Sequence, residues 1–444
     1  MSRRILITAP GSNSGKTTTV IALLDALIKR GIKPCSFKCG PDYIDPMYHR
    51  KTMGIPAYNL DPYFCGEDKL KAILSNGMRD RDIAIIEGVM GYYDGIGAKN
   101  SASTYEVADK TGTPVILVIN AKGMSGSVAA LIRGFLSYKA DSHIKGVIFN
   151  NVSKGMYPVL SEYARSEGVK PLGYIPYDES CILGSRHLGL ITADELDDIN
   201  NKIDRLGYLA NECLDIDGIL ALAAECAPIP EYVEELAEPK VRLAVARDMA
   251  FSFIYQENMD VLTRKGCEIV YFSPLNDERL PEDIDGLYIP GGYPEEYADR
   301  LSTNASMLGS VYEAIKGGMP AIAECGGFMY LHESIDGYPM AGVIPGGCVK
   351  KNRLVRFGYG YMEAKRDGLI LKALDGIRVH EFHYYDSDNA GEDLTVTKAS
   401  NNTKYDCAYM TDTMYAGYPH IYLPANERVA DNFIIKMSNY KRNR

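Results

Sequence analysis

The stretch ILITAPGSNSGKTTTVIALLDALIKRG, residues 5–31, constrains the fold more than any other part of the chain. A short apolar run leads into a glycine- and serine-rich loop ending in Gly15-Lys16-Thr17, and a segment of helical period follows and stops at Gly31. That order predicts strand, loop, helix. In a phosphate loop of this kind, successive backbone N–H groups cradle the phosphates, the lysine reaches the outer phosphate oxygens and the next hydroxyl holds magnesium. Gly15, Lys16 and Thr17 stand in those roles. The six-residue form of the loop carries glycine where this chain has Pro10, but the flanking strand and helix keep the reading on nucleotide binding.

Further apolar runs recur at DIAIIEGVMG, PVILVINA and KGVIFNNV, each followed by a helix-like or loop segment. A mostly parallel sheet covered by helices accounts for them. Magnesium beside a nucleotide needs carboxylate oxygen from the end of a neighbouring strand. IEGVMGYYDG offers Glu87 where the strand ends and Asp94 in the loop beyond it. KCGPDYIDPMYH adds Asp42 and Asp45 on either side of Tyr43 in a proline-bounded turn, residues that also suit a plain Asx turn.

From about residue 193 the pattern turns helical and polar, and CAPIPEYVEELAEPK has the prolines and acidic run of a linker. Beyond it VRLAVARD, CEIVYFSP, DGLYIPGGYP and MPAIAECGGFMYL restart the alternation of strand and helix. The chain therefore reads as two α/β domains: a phosphate-loop domain over 1–192, a helical segment and linker over 193–240, and a second domain over 241–444. In the second, Cys325 falls at a sharp turn between an apolar strand and a helix start, the context of a nucleophile elbow. A helix N-terminus there favours thiolate over thiol, and the N–H of Gly326 can face an oxyanion. Seven histidines limit the choice of base to His420 in AGYPHIYLPAN, with His380 and His383 of VHEFHYY as competitors.

At 444 residues the chain exceeds one ordinary core. Its net charge of -10 argues against electrostatic binding to nucleic acid or to a membrane, since both are polyanions. The ten cysteines lack paired metal-type spacing and read mostly as reduced thiols. The N-terminus passes from two arginines straight into a strand pattern without a signal-peptide core, and no apolar run approaches about 18 residues. A cytoplasmic protein is expected.

Taken together, TAPGSNSGKTT, KCGPDYIDPMYH, NLDPYF, IEGVMGYYDG, SRHLGL, VARDMAFSFIYQEN, IPGGYPE, AECGGFMYL and HEFHYY resemble the cobyrinic acid a,c-diamide synthase family, in the family's order and over nearly the whole chain. The resemblance implies an N-terminal synthetase domain similar to dethiobiotin synthetase and a C-terminal class I type glutamine amidotransferase domain. It implies ATP, magnesium, L-glutamine and cobyrinic acid as ligands, with the c and then the a acetate of the corrin activated as acyl phosphates and amidated by ammonia released through a cysteine thioester. Carried onto this sequence, Lys16, Thr17 and Glu87 match the ATP and magnesium positions. Asp42, Tyr43, Asp45 and Asp94 match the substrate-side loops, where Asp45 also stands near magnesium. Cys325 matches the amidotransferase nucleophile, His420 its base, and Gly291 and Gly292 the loop that helps Gly326 form the oxyanion site; Asn150 is a candidate for adenine.

Two departures accompany it: Ala323 replaces the first glycine of the common Gly-x-Cys-x-Gly elbow, and Tyr422 stands two residues after the histidine, where many class I amidotransferases carry a carboxylate. The third member of the triad is left unassigned. The same chemistry on nickel sirohydrochlorin or hydrogenobyrinic acid stays open, as does a homodimer. A partitioning ATPase of the related deviant phosphate-loop type fits less well. Its signature lysine would replace Gly11, and it has no use for Cys325.

Overall fold

The computed structural model describes residues 3–181, 193–233 and 235–444, so the SRHLGL motif, residues 185–190, lies outside the described residues. The chain divides into two compact units, Met1–Val233 and Glu234–Arg444.

The first unit is a seven-stranded sheet with helices on both faces. Strand β1 (Arg3–Thr8) leads through the phosphate loop into α1 (Lys16–Lys29), followed by β2 (Pro34–Cys39), α2 (Ile44–Met53), β3 (Ala57–Leu60), α3 (Glu67–Gly77) and β4 (Ile83–Glu87). The remainder runs α4 (Thr104–Thr111), β5 (Val115–Asn120), α5 (Ser127–Ser137), β6 (Ile144–Asn150), α6 (Tyr157–Ser166), β7 (Lys170–Ile175), α7 (Ala193–Cys213) and α8 (Ile216–Ala223). The strands pair in parallel in the order β3-β2-β4-β1-β5-β6-β7. Strands such as IAIIE and VILVI are buried along their length, as a sheet covered on both faces requires. The chain runs outward from β1 to β3 on one side and from β5 to β7 on the other. The phosphate loop and Glu87 therefore sit at the carboxyl ends of β1 and β4, where the order reverses and such sheets bind ligands.

The helical stretch after residue 193 belongs to this unit. Ile203, Leu206, Leu209 and Ala210 of α7 and Ile219 of α8 are buried in one core with Leu23 and Leu27 of α1. A Cβ on Gly207 would lie 1.7 Å from Asp25 Oδ2, which explains a glycine in mid-helix: α7 meets α1 there with no room for a side chain. Residues beyond α8 lead into the second unit. Of these, Ala237 and Lys240 already hydrogen-bond to backbone of the second unit, at Arg264 and Gly266.

In the second unit β8 (Val241–Ala246), α9 (Gln256–Arg264), β9 (Cys267–Phe272), β10 (Gly286–Ile289), α10 (Ala298–Thr303), α11 (Ala305–Lys316), β11 (Ala321–Glu324) and α12 (Gly326–Tyr330) begin a six-stranded sheet. Its order is Tyr409–Met410, Met414–Gly417, β11, β10, β8, β9, parallel except at the Tyr409–Met410 edge. Two further sheets of four and five strands, which the strand-helix alternation did not announce, complete the unit. In the larger one Gly376–His383 pairs with His420–Ile421 in the register His380↔His420. Among the described residues no helix is long and apolar enough to cross a membrane.

Candidate active sites

The phosphate loop is built on a left-handed Gly15 (φ 98°) that caps α1. A side chain there is excluded twice over, because the backbone is in a conformation that favours glycine and a Cβ would lie 2.0 Å from Asn150 Nδ2. The Asn150 amide, proposed from the sequence for adenine, donates to the Ser14 carbonyl at 3.1 Å and so holds the loop. Lys16 Nζ donates to the carbonyls of Gly11, at 2.9 Å, and Met90, at 2.5 Å. Burial and then repulsion from Lys38 lower its pKa, with Glu87 and Asp94 opposing. The lysine thus rests on two neutral carbonyls at the spot where phosphate oxygens would offer charge.

At the foot of the loop the Thr17 hydroxyl donates to Glu87 Oε1 at 2.5 Å. Lys38, which the sequence reading passed over, donates to the same Glu87 oxygen at 2.7 Å and to Asp45 Oδ2 at 2.5 Å. The register Lys38↔Glu87 between β2 and β4 makes this contact a consequence of strand pairing. Burial pulls the Lys38 pKa down, but Glu87, Asp45 and Asp42 together outweigh it and keep the ammonium charged. Burial likewise raises Glu87, against the pull of Lys38. Glu87 Oε2 is buried and has no hydrogen-bond partner among the described residues.

Asp42 forms the Asx turn that was one of its two readings: Oδ1 accepts from the N–H groups of Ile44 and Asp45 at 2.8 and 3.1 Å and starts α2. Its other oxygen lies 3.9 Å from Lys38. Tyr43 is buried at the cap of α2. Asp94 is exposed and accepts from the Gly91 N–H at 2.8 Å. It lines a cavity of about 680 Å³ together with Met90, Tyr93, Lys99, Phe135 and Tyr138. Tyr93 stacks on Phe135 at 5.6 Å and donates its hydroxyl to the Phe135 carbonyl, which fixes the aromatic wall. Gly134, on the cavity side of α5, has nothing within 4 Å of where its Cβ would be.

In the second unit the elbow is present as the sequence suggests. Cys325 has φ 47° and ψ -103° between β11 and α12, a strained conformation for a non-glycine residue. The expected thiolate is not the resting state: burial, then Glu295, raise the thiol well above its usual pKa, and the Gly326 N–H opposes them only in part. A base is therefore required. Gly291 brings the parts together, since a Cβ there would lie 2.5 Å from His420 Cε1 and 3.5 Å from Cys325 Cβ. Gly326 in turn approaches Gly292, whose nitrogen would lie 3.0 Å from a Cβ at 326. His420, buried and held down to about 4 by that burial, is thus beside the cysteine as a neutral imidazole. Of the competitors, His383 lies flat on Tyr418 at 3.8 Å with its Nδ1 on the Tyr385 carbonyl, and His380 sits directly across the strand pair from His420.

Lys38 and Glu324, the residue before the nucleophile, are the two side chains that sequence reasoning missed. For Lys38 a signal existed, a lone charge in the fully buried strand PCSFKC.

Residues 5–191 match a family described as CobQ/CobB/MinD/ParA nucleotide binding domain, and residues 242–428 one described as CobB/CobQ-like glutamine amidotransferase domain. Over the whole chain, the cobyrinate a,c-diamide synthase of Caldanaerobacter subterraneus is 38% identical, with 100% of both chains covered. That of Priestia megaterium is 36% identical over 100% of this chain and 99% of its own. That of Thermoplasma volcanium is 36% identical over 99% and 98%.

Proposed function

The chain belongs to the cobyrinate a,c-diamide synthase family, and from that premise we propose that it uses ATP and glutamine to convert the a and c acetate carboxylates of cobyrinic acid to amides. The observation that carries this reading is that one chain holds both halves of the chemistry. One unit has a phosphate loop over a buried cation–carboxylate cluster, and the other has a histidine beside a cysteine at a strand-to-helix elbow.

A carboxylate resists ammonia because oxide is a poor leaving group, whereas an acyl phosphate expels phosphate. Lys16 exchanges the Gly11 and Met90 carbonyls for the outer phosphate oxygens of ATP. Lys38, charged and fixed between Glu87 and Asp45, neutralises the region where phosphoryl group and substrate carboxylate must approach. We assign Asp42, Tyr43, Asp45 and Asp94 to the substrate side, and the aromatic cavity beside Met90, which Asp94 lines, to the flat macrocycle. The donor set suits magnesium. The unpartnered Glu87 Oε2 and the Thr17 hydroxyl are hard oxygens at the foot of the loop, with Asp45 across Lys38, and Mg²⁺ takes few protein ligands when phosphates supply the rest. Bound there, the ion neutralises charge developing on the phosphates.

In the second unit Cys325 Sγ attacks the glutamine carboxamide carbon while His420 takes the thiol proton, and the N–H groups of Gly291, Gly292 and Gly326 are the donors we assign to the oxyanion. His420 returns the proton to the departing ammonia, and water then hydrolyses the thioester to glutamate. Incubating the purified chain with cobyrinate, ATP and glutamine, and following products by mass spectrometry, tests the reading. A transient monoamide and then a diamide are expected, with one ATP and one glutamine consumed per amide. Turnover of both co-substrates with cobyrinate left unchanged would contradict it.

A further inference from the structure

The position two residues after His420 holds Tyr422, fully buried and packed edge-on against Tyr255 at 5.0 Å, so no carboxylate can act on the imidazole from there. A carboxylate reaches it from the other side of the nucleophile. We infer that Glu324, the residue immediately before Cys325, is the positioning residue that holds His420 in its basic tautomer. Glu324 Oε2 lies 3.5 Å from His420 Nδ1, with side-chain exposures of only 2% and 3%. Its Oε1 accepts from the Ile421 N–H at 3.2 Å, and the Tyr288 side chain hydrogen-bonds the same carboxyl group. The segment carrying the histidine is clamped besides. Asn258 of α9 donates to the Ile421 carbonyl and accepts from the Leu423 N–H, both at 2.8 Å.

The inference rests on the reading of Cys325 and His420 as nucleophile and base. A carboxylate at Nδ1 keeps the proton there and leaves the lone pair on Nε2, the nitrogen that takes the thiol proton and later hands it to ammonia. Nothing is consumed at Glu324, which keeps its Ile421 and Tyr288 hydrogen bonds, faces Nδ1 at 3.5 Å and pairs with the imidazolium while that proton is in transit. The other nearby carboxylates are less suited: Glu381 is bonded to the Tyr405 hydroxyl, and Glu295 acts on the thiol. Burial holds the Glu324 carboxyl up to about 8, so the ionised acceptor grows as pH rises toward that value. The remaining titratable groups around the pair, among the described residues, are Cys325, Tyr288, Tyr415, His380 and His383.

Glu324→Gln in the full chain keeps the side chain's size and an oxygen for the Ile421 N–H. It turns an amide N–H₂ toward Nδ1, which selects the wrong tautomer. Measured at a pH above the Glu324 value, its glutamine hydrolysis should lose about 100-fold or more in kcat, with KM for glutamine within about threefold. Synthesis from ammonium salts should be untouched. In ¹⁵N-histidine spectra the His420 proton should move from Nδ1 to Nε2, and Glu324→Asp should recover part of the lost kcat. If the parent chain releases no glutamate from glutamine, the reading beneath the inference fails. If the parent is active and Glu324→Gln retains its kcat and its tautomer, or loses activity only through a raised KM, the inference about Glu324 is overturned and the dyad reading stands.

Discussion

Lys38 decides the electrostatics of the synthetase site at the level of single residues. Its ammonium is buried between Glu87 and Asp45, and removing it would leave two carboxylates facing each other without the charge that now separates them. Lys38→Met should destabilise the first unit by about 3 kcal/mol, the cost of breaking a buried pair. It should also lower ATP-dependent amidation by about 100-fold or more with either glutamine or ammonia as nitrogen source, while glutamate release stays at the parent rate. Steady-state assays of both half-reactions separate these. Glu87→Gln should give the same split, since it removes the charge beside Thr17 while keeping shape. In the second unit the buried titratable groups set a pH dependence of stability. His380, His383 and His420 are held down to about 3, 4 and 4 by burial, so the unfolded chain binds protons that the folded chain refuses as pH falls from 6.5 toward 4. Glu295, Glu324 and Glu381 are held up to about 7, 8 and 7, so the folded chain keeps protons that the unfolded chain has lost as pH rises from 4.5 to about 8. The two sets oppose each other between 4.5 and 6.5, and above that the carboxyls act alone. Pulse proteolysis in urea should find residues 241–444 more stable near about pH 6 than near about pH 8.5; the reverse order would contradict the burial account.

Two elements carry consequences that no single side chain does. Helix α5 turns Gly134 toward the aromatic cavity with open space at its Cβ. Gly134→Leu should therefore stabilise the helix by up to about 1 kcal/mol, while filling the space proposed for the macrocycle. The expected result is an apparent affinity for cobyrinate weakened about tenfold, or about 1.4 kcal/mol, with KM for ATP and glutamine unchanged. Unchanged cobyrinate affinity would remove the cavity from the substrate site. Helix α7 makes the opposite case: a Cβ at Gly207 meets Asp25 Oδ2 at 1.7 Å, so Gly207→Ala should push α7 from α1 and cost about 1–3 kcal/mol in urea unfolding. Elements announced by local chemistry were legible in the sequence. The phosphate loop and the elbow are each defined by a strand, a turn and a helix start within a dozen residues. The two smaller sheets of the second unit and the burial of α7 were not, because long-range pairing and an apolar face matched to α1 leave only a weak mark on local pattern.

For the whole molecule, the legible and illegible parts divide along the same line. Cys325, His420 and Lys16 announce themselves through neighbours in the chain. The Lys38–Glu87 contact depends on register between β2 and β4, and the Glu324–His420 contact joins the end of β11 to a strand about a hundred residues further along the chain, beside the Glu324–Ile421 hydrogen bond. Neither appears until the strands are paired. Ammonia made at Cys325 is proposed to be spent at a carboxylate activated beside Lys16, a claim that variants of these two residues test most directly. Serine at 325 is too weak an acid to serve as nucleophile, so Cys325→Ser should lose glutamine-dependent diamide formation. Free ammonia needs no thioester, so the same variant should keep ATP-dependent diamide formation from ammonium salts at close to the parent rate. Lys16→Ala should lose both. Glutamine-dependent synthesis at the parent rate in Cys325→Ser, or ammonia-dependent synthesis surviving in Lys16→Ala, would contradict the claim.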